Sequence, residues 1–254
     1  TPKPSSAASD VYKRQAHRCS SDKEEPSMEF ILDTADLEAV KQLDELLTID
    51  GVTTNPAIIT RSGKQPEQVI KEFVEYLLPE QKFFVQVVST DYQKMLEEAR
   101  YICGLRPENT YVKIPVTRNG YKAIKQLKSE GLSVLATAIY SADEAFLAAM
   151  NGADYLAPYV NRMCNYGDGI GQVFDLMQML ETHELNSKIL AASFKNTEQV
   201  HALISAGIDA VTLPPDIVYT MMDHPGTKIA VDEFSIAWRE AYGRDTLLRQ
   251  SSRK

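Results

Sequence analysis

From Met28 onward the chain alternates short apolar runs with amphipathic stretches, and nothing else in the sequence restricts the fold more. The runs lie near residues 29–33, 51–55, 83–88, 110–116, 132–138, 154–160, 188–193 and 210–214. Their length suits strands, and their near-continuous apolar character suits burial on both faces. Between them apolar residues fall at helical spacing, as in Val69, Phe73, Tyr76 and Leu77, in Ile170, Val173, Phe174 and Met177, and in Val200, Leu203 and Ile204. Pro66 suits a first helical turn, Ser141 and Asn196 suit N-caps, and Gly104, Gly131, Gly152 and Gly207 stand where helices should end.

Strict strand–helix alternation implies parallel strands joined by right-handed crossovers. About eight units of roughly 25 residues predict an α/β fold, a closed (β/α)8 barrel of the TIM type. An open doubly wound sheet shares this periodicity, but unit count and size favour the barrel. Beyond the last run, Val231, Phe234, Trp238 and Tyr242 form a helical stripe expected to cover the barrel bottom or a neighbouring subunit. Residues 28–246 are therefore expected to form one barrel domain with an extra C-terminal helix, followed by a flexible tail over 247–254. Residues 1–27, rich in Ser, Lys, Glu and Pro, lack apolar periodicity and are expected to be a disordered or non-native extension, with Met28 as the start. A regulatory tail is the alternative.

A net charge of −8 leaves no general surface for nucleic acid or anionic membrane, so any phosphate must be bound locally. No window approaches the roughly 18 apolar residues of a membrane helix. Cys19, Cys103 and Cys164 are odd in number and widely spaced, which fits a reducing cytoplasm rather than a disulfide framework. The histidines, His17, His183, His201 and His224, do not cluster at strand ends, so metal catalysis is not expected.

Barrel active sites gather at the C-terminal ends of strands. Polar residues within or just after the apolar runs are Asp33, Thr53, Asn55, Gln86, Lys113, Thr137, Tyr159, Asn161, Arg162, Ser193 and, more weakly, Thr212. Lys113 stands in mid-strand, whereas Lys82 and Lys188 begin theirs. A buried lysine either finds a carboxylate or loses its proton, and a neutral amine attacks carbonyls. Lys113 is thus an imine-forming nucleophile or the partner of Asp33 in a structural salt bridge. Asp33 either orients substrate hydroxyls or caps the next helix, and Asn55 is equally suited to capping. The Gln86 amide needs a neighbour, a water or a substrate. Tyr159 offers a phenol for proton traffic and Arg162 a planar cation for phosphate, unless that cation is a surface ion pair. Ser193 and Lys195 precede a fresh helix N-terminus, as a phosphate cradle requires. Gly167-Asp-Gly-Ile-Gly171 opens a helix without following a first strand and is read as a flexible loop rather than a nucleotide site.

Five segments, Leu32-Asp-Thr-Ala-Asp36, Gly51-Val-Thr-Thr-Asn-Pro-Ala-Ile-Ile59, Val112-Lys-Ile-Pro-Val116, Ala157-Pro-Tyr-Val-Asn-Arg162 and Leu190-Ala-Ala-Ser-Phe-Lys195, resemble the transaldolase superfamily and its fructose-6-phosphate aldolase branch. The resemblance spans Met28 to about Thr246. It implies Lys113 as the Schiff-base lysine, with Asp33, Asn55 and Thr137 placing substrate hydroxyls and water. It also implies a phosphate grip by Arg162 and Ser193, with Thr53 and Asn161 in the substrate-binding set. Gln86 and Tyr159 match the aldolase type, since transaldolases have glutamate and phenylalanine there. The implied reaction is reversible cleavage of fructose 6-phosphate that needs neither metal nor cofactor; transaldolase transfer and a non-catalytic phosphosugar-binding barrel are the alternatives. The implied assembly is a homo-oligomer, a decamer of two pentameric rings.

Overall fold

Eight parallel strands pair in chain order and close: β1 (Glu29–Asp33), β2 (Gly51–Thr53), β3 (Lys82–Gln86), β4 (Thr110–Pro115), β5 (Val134–Ile139), β6 (Tyr155–Pro158), β7 (Lys188–Ala191) and β8 (Ala210–Leu213). The pairing of Phe30 with Val211 and of Ile31 with Thr212 joins β1 to β8 and removes the open edge of the alternative sheet. The computed structural model describes residues 28–248. The expected extension over 1–27, with His17 and Cys19, and the last six residues of the expected tail lie outside the described residues.

The helices are α1 (Leu37–Asp44), α2 (Pro56–Ser62), α3 (Pro66–Tyr76), α4 (Tyr92–Leu105), α5 (Arg118–Ser129), α6 (Ala142–Met150), α7 (Val160–Cys164), α8 (Gly169–Thr182), α9 (Thr197–Ser205), α10 (Pro215–Met222) and α11 (Pro225–Tyr242). Their starts follow local chemistry. Ser141 Oγ and Asn196 Oδ1 accept from the backbone N–H of Glu144 and Gln199, as expected of N-caps, and Pro66 opens α3. Gly131, Gly152 and Gly207 adopt positive φ just beyond helix ends, the backbone that glycine tolerates best. Gly104 departs from expectation: α4 continues through it to Leu105, and no left-handed turn forms there. Gly169 and Gly171 also lie in the first turn of α8, where Asp168 caps the Gly171 N–H at 2.8 Å, so the expected flexible loop is partly helix. The buried face of α8 is Val173, Leu176 and Leu180, which leaves Phe174 largely outside.

Side-chain alternation divides the apolar residues into two layers. Leu32, Val52, Phe83, Val85, Val112, Ile114, Leu156 and Val211 pack outward with the helices. Ile31, Phe84, Leu135, Ala157, Leu190 and Ala210 fill the barrel itself. Each fully buried large side chain contributes about 1.5–3 kcal/mol relative to exposure. Below this plug, Glu29 accepts from Tyr155 Oη at 2.8 Å and Lys188 Nζ at 2.6 Å, with Lys82 Nζ 3.5 Å away. Burial alone would raise the Glu29 pKa, but these two hydrogen bonds and the two lysine charges hold it below the ordinary carboxylate value.

α11 stands apart. None of its residues is buried, and Phe234 is 70% exposed, so it does not cover the bottom of its own barrel.

Candidate active site

The opposite end of the same strands is polar and incompletely paired. Lys113 lies in β4, one residue inward of Ile114, and is only 4% exposed. Gly120 holds this strand end against α5: a Cβ there would lie 1.8 Å from the Pro115 carbonyl oxygen. Lys113 Nζ donates to the Thr54 carbonyl oxygen at 2.8 Å. The ion pairs among the described residues do not include Lys113 with Asp33, so the structural salt bridge does not form. Burial pushes the Lys113 pKa down, against the opposing pull of the Asp33 charge. The result favours the free amine, the form that attacks a carbonyl.

Asp33 does not cap α1. Asp36 does so, accepting from the Glu38 N–H at 3.0 Å. Asp33 instead accepts from Thr53 Oγ1 at 2.7 Å, and Thr53 Oγ1 lies 2.8 Å from Thr212 Oγ1. Thr53 has one hydroxyl proton; when Asp33 is ionised that proton goes to the carboxylate, and Thr212 donates in turn. Both threonines are buried, so the chain holds Asp33 from within the barrel. Burial raises the Asp33 pKa, only partly offset by Lys113, the Thr53 hydrogen bond, Arg61 and Arg162.

Thr137 Oγ1 and Tyr159 Oη are 3.2 Å apart. Tyr159 follows β6 and is held by a bridge to Ala192. Burial raises its pKa, with the Thr137 hydrogen bond and the Arg162 charge pulling the other way, so the phenol keeps its proton. Gln86 Oε1 is buried with no hydrogen-bond partner among the described residues, an acceptor left for a water or ligand. The Arg162 guanidinium lies 4.6 Å from the Tyr159 ring centroid. Ser193 ends the β7 segment ahead of α9 with φ of 62°, a left-handed conformation that costs a non-glycine residue about 1–2 kcal/mol. Such strain is tolerated where the surroundings impose it, commonly at functional sites.

Two expected residues are committed elsewhere. Asn55 Oδ1 caps α2, accepting from the Ile58 N–H at 3.0 Å, and Asn161 Oδ1 accepts from Gln199 Nε2 at 3.2 Å. Asn55 still stands beside Thr54, whose carbonyl holds Lys113. Sequence reasoning missed Tyr140, whose hydroxyl accepts from Arg162 Nη1 at 3.4 Å, and the Thr54 carbonyl, which no side-chain pattern can report. Among the described residues no group of three or more His, Cys, Asp or Glu could hold a metal ion, and no helix is long and apolar enough to cross a membrane.

The fold and this site together define a (β/α)8 barrel that carries a buried lysine amine at the C-terminal ends of its strands. The family model for transaldolase/fructose-6-phosphate aldolase matches residues 30–250, and the chain belongs to that family. It is accordingly an enzyme of the transaldolase/aldolase type. Among solved structures it is similar to a flavocytochrome b2 variant with sulfite bound, at 14% identity and TM-score 0.52, covering 75% of this chain and 57% of that one. It is also similar to a native KDPGal structure, at 18% identity and TM-score 0.51, covering 77% of this chain and 85% of that one. The chain thus spans little more than half of the flavocytochrome, and both likenesses concern the barrel alone.

Proposed function

We propose that this enzyme is a Schiff-base aldolase that reversibly cleaves fructose 6-phosphate into dihydroxyacetone and glyceraldehyde 3-phosphate. The observation that carries the reading is Lys113, a buried amine held by a carbonyl oxygen rather than a carboxylate. Its Nζ adds to the C2 carbonyl, water leaves, and the resulting iminium draws the C3–C4 bonding electrons as the C4 hydroxyl loses its proton. Glyceraldehyde 3-phosphate departs. The remaining enamine takes a proton at C3, and hydrolysis of the imine returns the amine and dihydroxyacetone.

Asp33 and the neighbouring Asn55 orient hydroxyls in this reading. Tyr159, paired with Thr137, supplies the carbon-bound proton through a water that Gln86 Oε1 also accepts from. Protonating and releasing the enamine is what an aldolase needs and a transaldolase avoids, so Tyr159 and Gln86 support the aldolase. Arg162 and Ser193 take the phosphate. The reading extends to a single functional unit over 28–246, cytoplasmic, with free Cys103 and Cys164 suited to a reducing compartment. It includes a homo-oligomer, a decamer of two pentameric rings by resemblance, in which a neighbour covers the apolar side chains that α11 exposes.

Borohydride reduction with dihydroxyacetone, followed by peptide mass mapping, tests the lysine: the expected adduct is on Lys113, and no adduct means a binding barrel without imine chemistry. Fructose 6-phosphate incubated alone should then release triose phosphate. Release that requires an added acceptor aldehyde would make the enzyme a transaldolase.

A further inference from the structure

The β5 strand does not end regularly. Its register with β6 shifts between Ala136 and Ile139, and Ala138 takes φ of 58°, a left-handed conformation uncommon for alanine. A bulge of this kind bends a strand and re-aims the side chains after it. Here the residue that follows is Tyr140. Its backbone N–H donates to Glu144 Oε2 at 2.8 Å, so the turn into α6 is pinned. Its ring lies edge-on to Tyr159, with centroids 5.9 Å apart, and its hydroxyl accepts from Arg162 Nη1 at 3.4 Å. The Tyr166 ring lies edge-on to it as well, with centroids 6.0 Å apart. Arg162 is otherwise exposed and forms no ion pair among the described residues. A long, solvated arginine samples many rotamers, and holding its fork in one plane is what makes it a selective phosphate ligand.

We infer that Tyr140 is a positioning residue for anion recognition: with the Tyr159 face it confines the Arg162 guanidinium, and so sets how strongly the site prefers phosphorylated over neutral aldehydes. The inference rests on the proposed phosphate-binding role of Arg162. Tyr140 would touch neither the reacting carbonyl nor Lys113, so its loss should spare the chemical step.

Tyr140→Phe keeps the ring and removes the hydroxyl. In the full chain its KM for glyceraldehyde 3-phosphate, with dihydroxyacetone as donor, should rise about three- to tenfold, the size of losing one ordinary hydrogen bond. The kcat for that pair and both constants for unphosphorylated glyceraldehyde should stay within twofold. In an Arg162→Ala background the same change should have no further effect on KM. Titration with inorganic phosphate, followed calorimetrically, should show the same loss of affinity without any turnover. An unchanged phosphate affinity, or an equal loss on both aldehydes, would overturn the inference even while borohydride still labels Lys113. Weakened phosphate binding without any label would leave the inference standing and remove the imine reading instead.

Discussion

The two ends of the barrel use the same strands and the same side-chain alternation to opposite effect. At the N-terminal end the cations Lys82 and Lys188 meet the carboxylate of Glu29, with Tyr155 completing its hydrogen bonds. At the C-terminal end Lys113 meets a backbone carbonyl, Asp33 meets a threonine, and Gln86 Oε1 meets no hydrogen-bond partner among the described residues. Burying a charge costs several kcal/mol unless a partner offsets it. One end supplies the partner and is a stable plug. The other withholds it, so burial lowers the Lys113 pKa, raises that of Asp33 and leaves the Gln86 acceptor open among the described residues.

Removing the Lys113 amine should break this contrast most strongly. Lys113→Met is expected to reduce kcat at least 10⁴-fold, equivalent to about 5.5 kcal/mol, and to abolish the borohydride adduct. Circular dichroism should show an intact fold, because the methionine fits the apolar strand without an amine to desolvate. A variant that keeps full activity would reduce Lys113 to an ordinary core position.

At the other end, Glu29→Gln should leave two lysines facing a neutral amide and destabilise the chain by about 3 kcal/mol, read from the urea midpoint at neutral pH. The sign of its pH dependence is set by the lowered Glu29 pKa. A carboxyl that holds its proton more weakly when folded stabilises fully above its unfolded pKa and loses that contribution as pH falls through the folded value. The gap between wild type and Glu29→Gln should therefore narrow in acid; a gap that widens would contradict the pairing. Catalysis should be nearly unaffected at temperatures where both are folded.

Tyr159→Phe should lower kcat for fructose 6-phosphate cleavage about 10²-fold, a typical contribution of one proton donor. Enamine that outlives the step should then be intercepted by added acceptor aldehyde, moving the enzyme toward transfer. Equal losses in cleavage and transfer would mean that Tyr159 does not protonate the enamine. The smallest effect is expected at the strained strand end: Ala138→Gly should relieve the positive φ and raise stability by up to about 1 kcal/mol in thermal unfolding. Looser aim of Tyr140 would show as a modestly higher KM for phosphorylated aldehydes.

Much of this was legible beforehand where a residue's role is local. Ser141, Asn196 and Pro66 act through the backbone next to them, so their caps follow from the residue type alone. Lys113 could be singled out because an apolar strand on both sides leaves a long cation no exit. Its salt bridge to Asp33 could not be settled from sequence, since a partner in space is not a partner in the chain. Asn55 shows the converse: its cap on α2 was an open alternative, and the structure takes it. Tyr140 escaped because the β5 bulge displaces it by a register that no periodic pattern contains.

Sequence alone determined the alternation, the eight strand positions, the presence of polar residues at the strand ends and the family to which they belong. These depend on period and residue type, which are written along the chain. Closure of β8 onto β1, the hold of the Thr54 carbonyl on the Lys113 amine, the Thr212–Thr53–Asp33 hydroxyl chain and the hydrogen bond from Arg162 to Tyr140 were decided only by tertiary structure. The physical reason is range. Periodicity acts over neighbouring residues, whereas desolvation and hydrogen-bond pairing act across the barrel, as between Thr53 and Thr212, 159 residues apart.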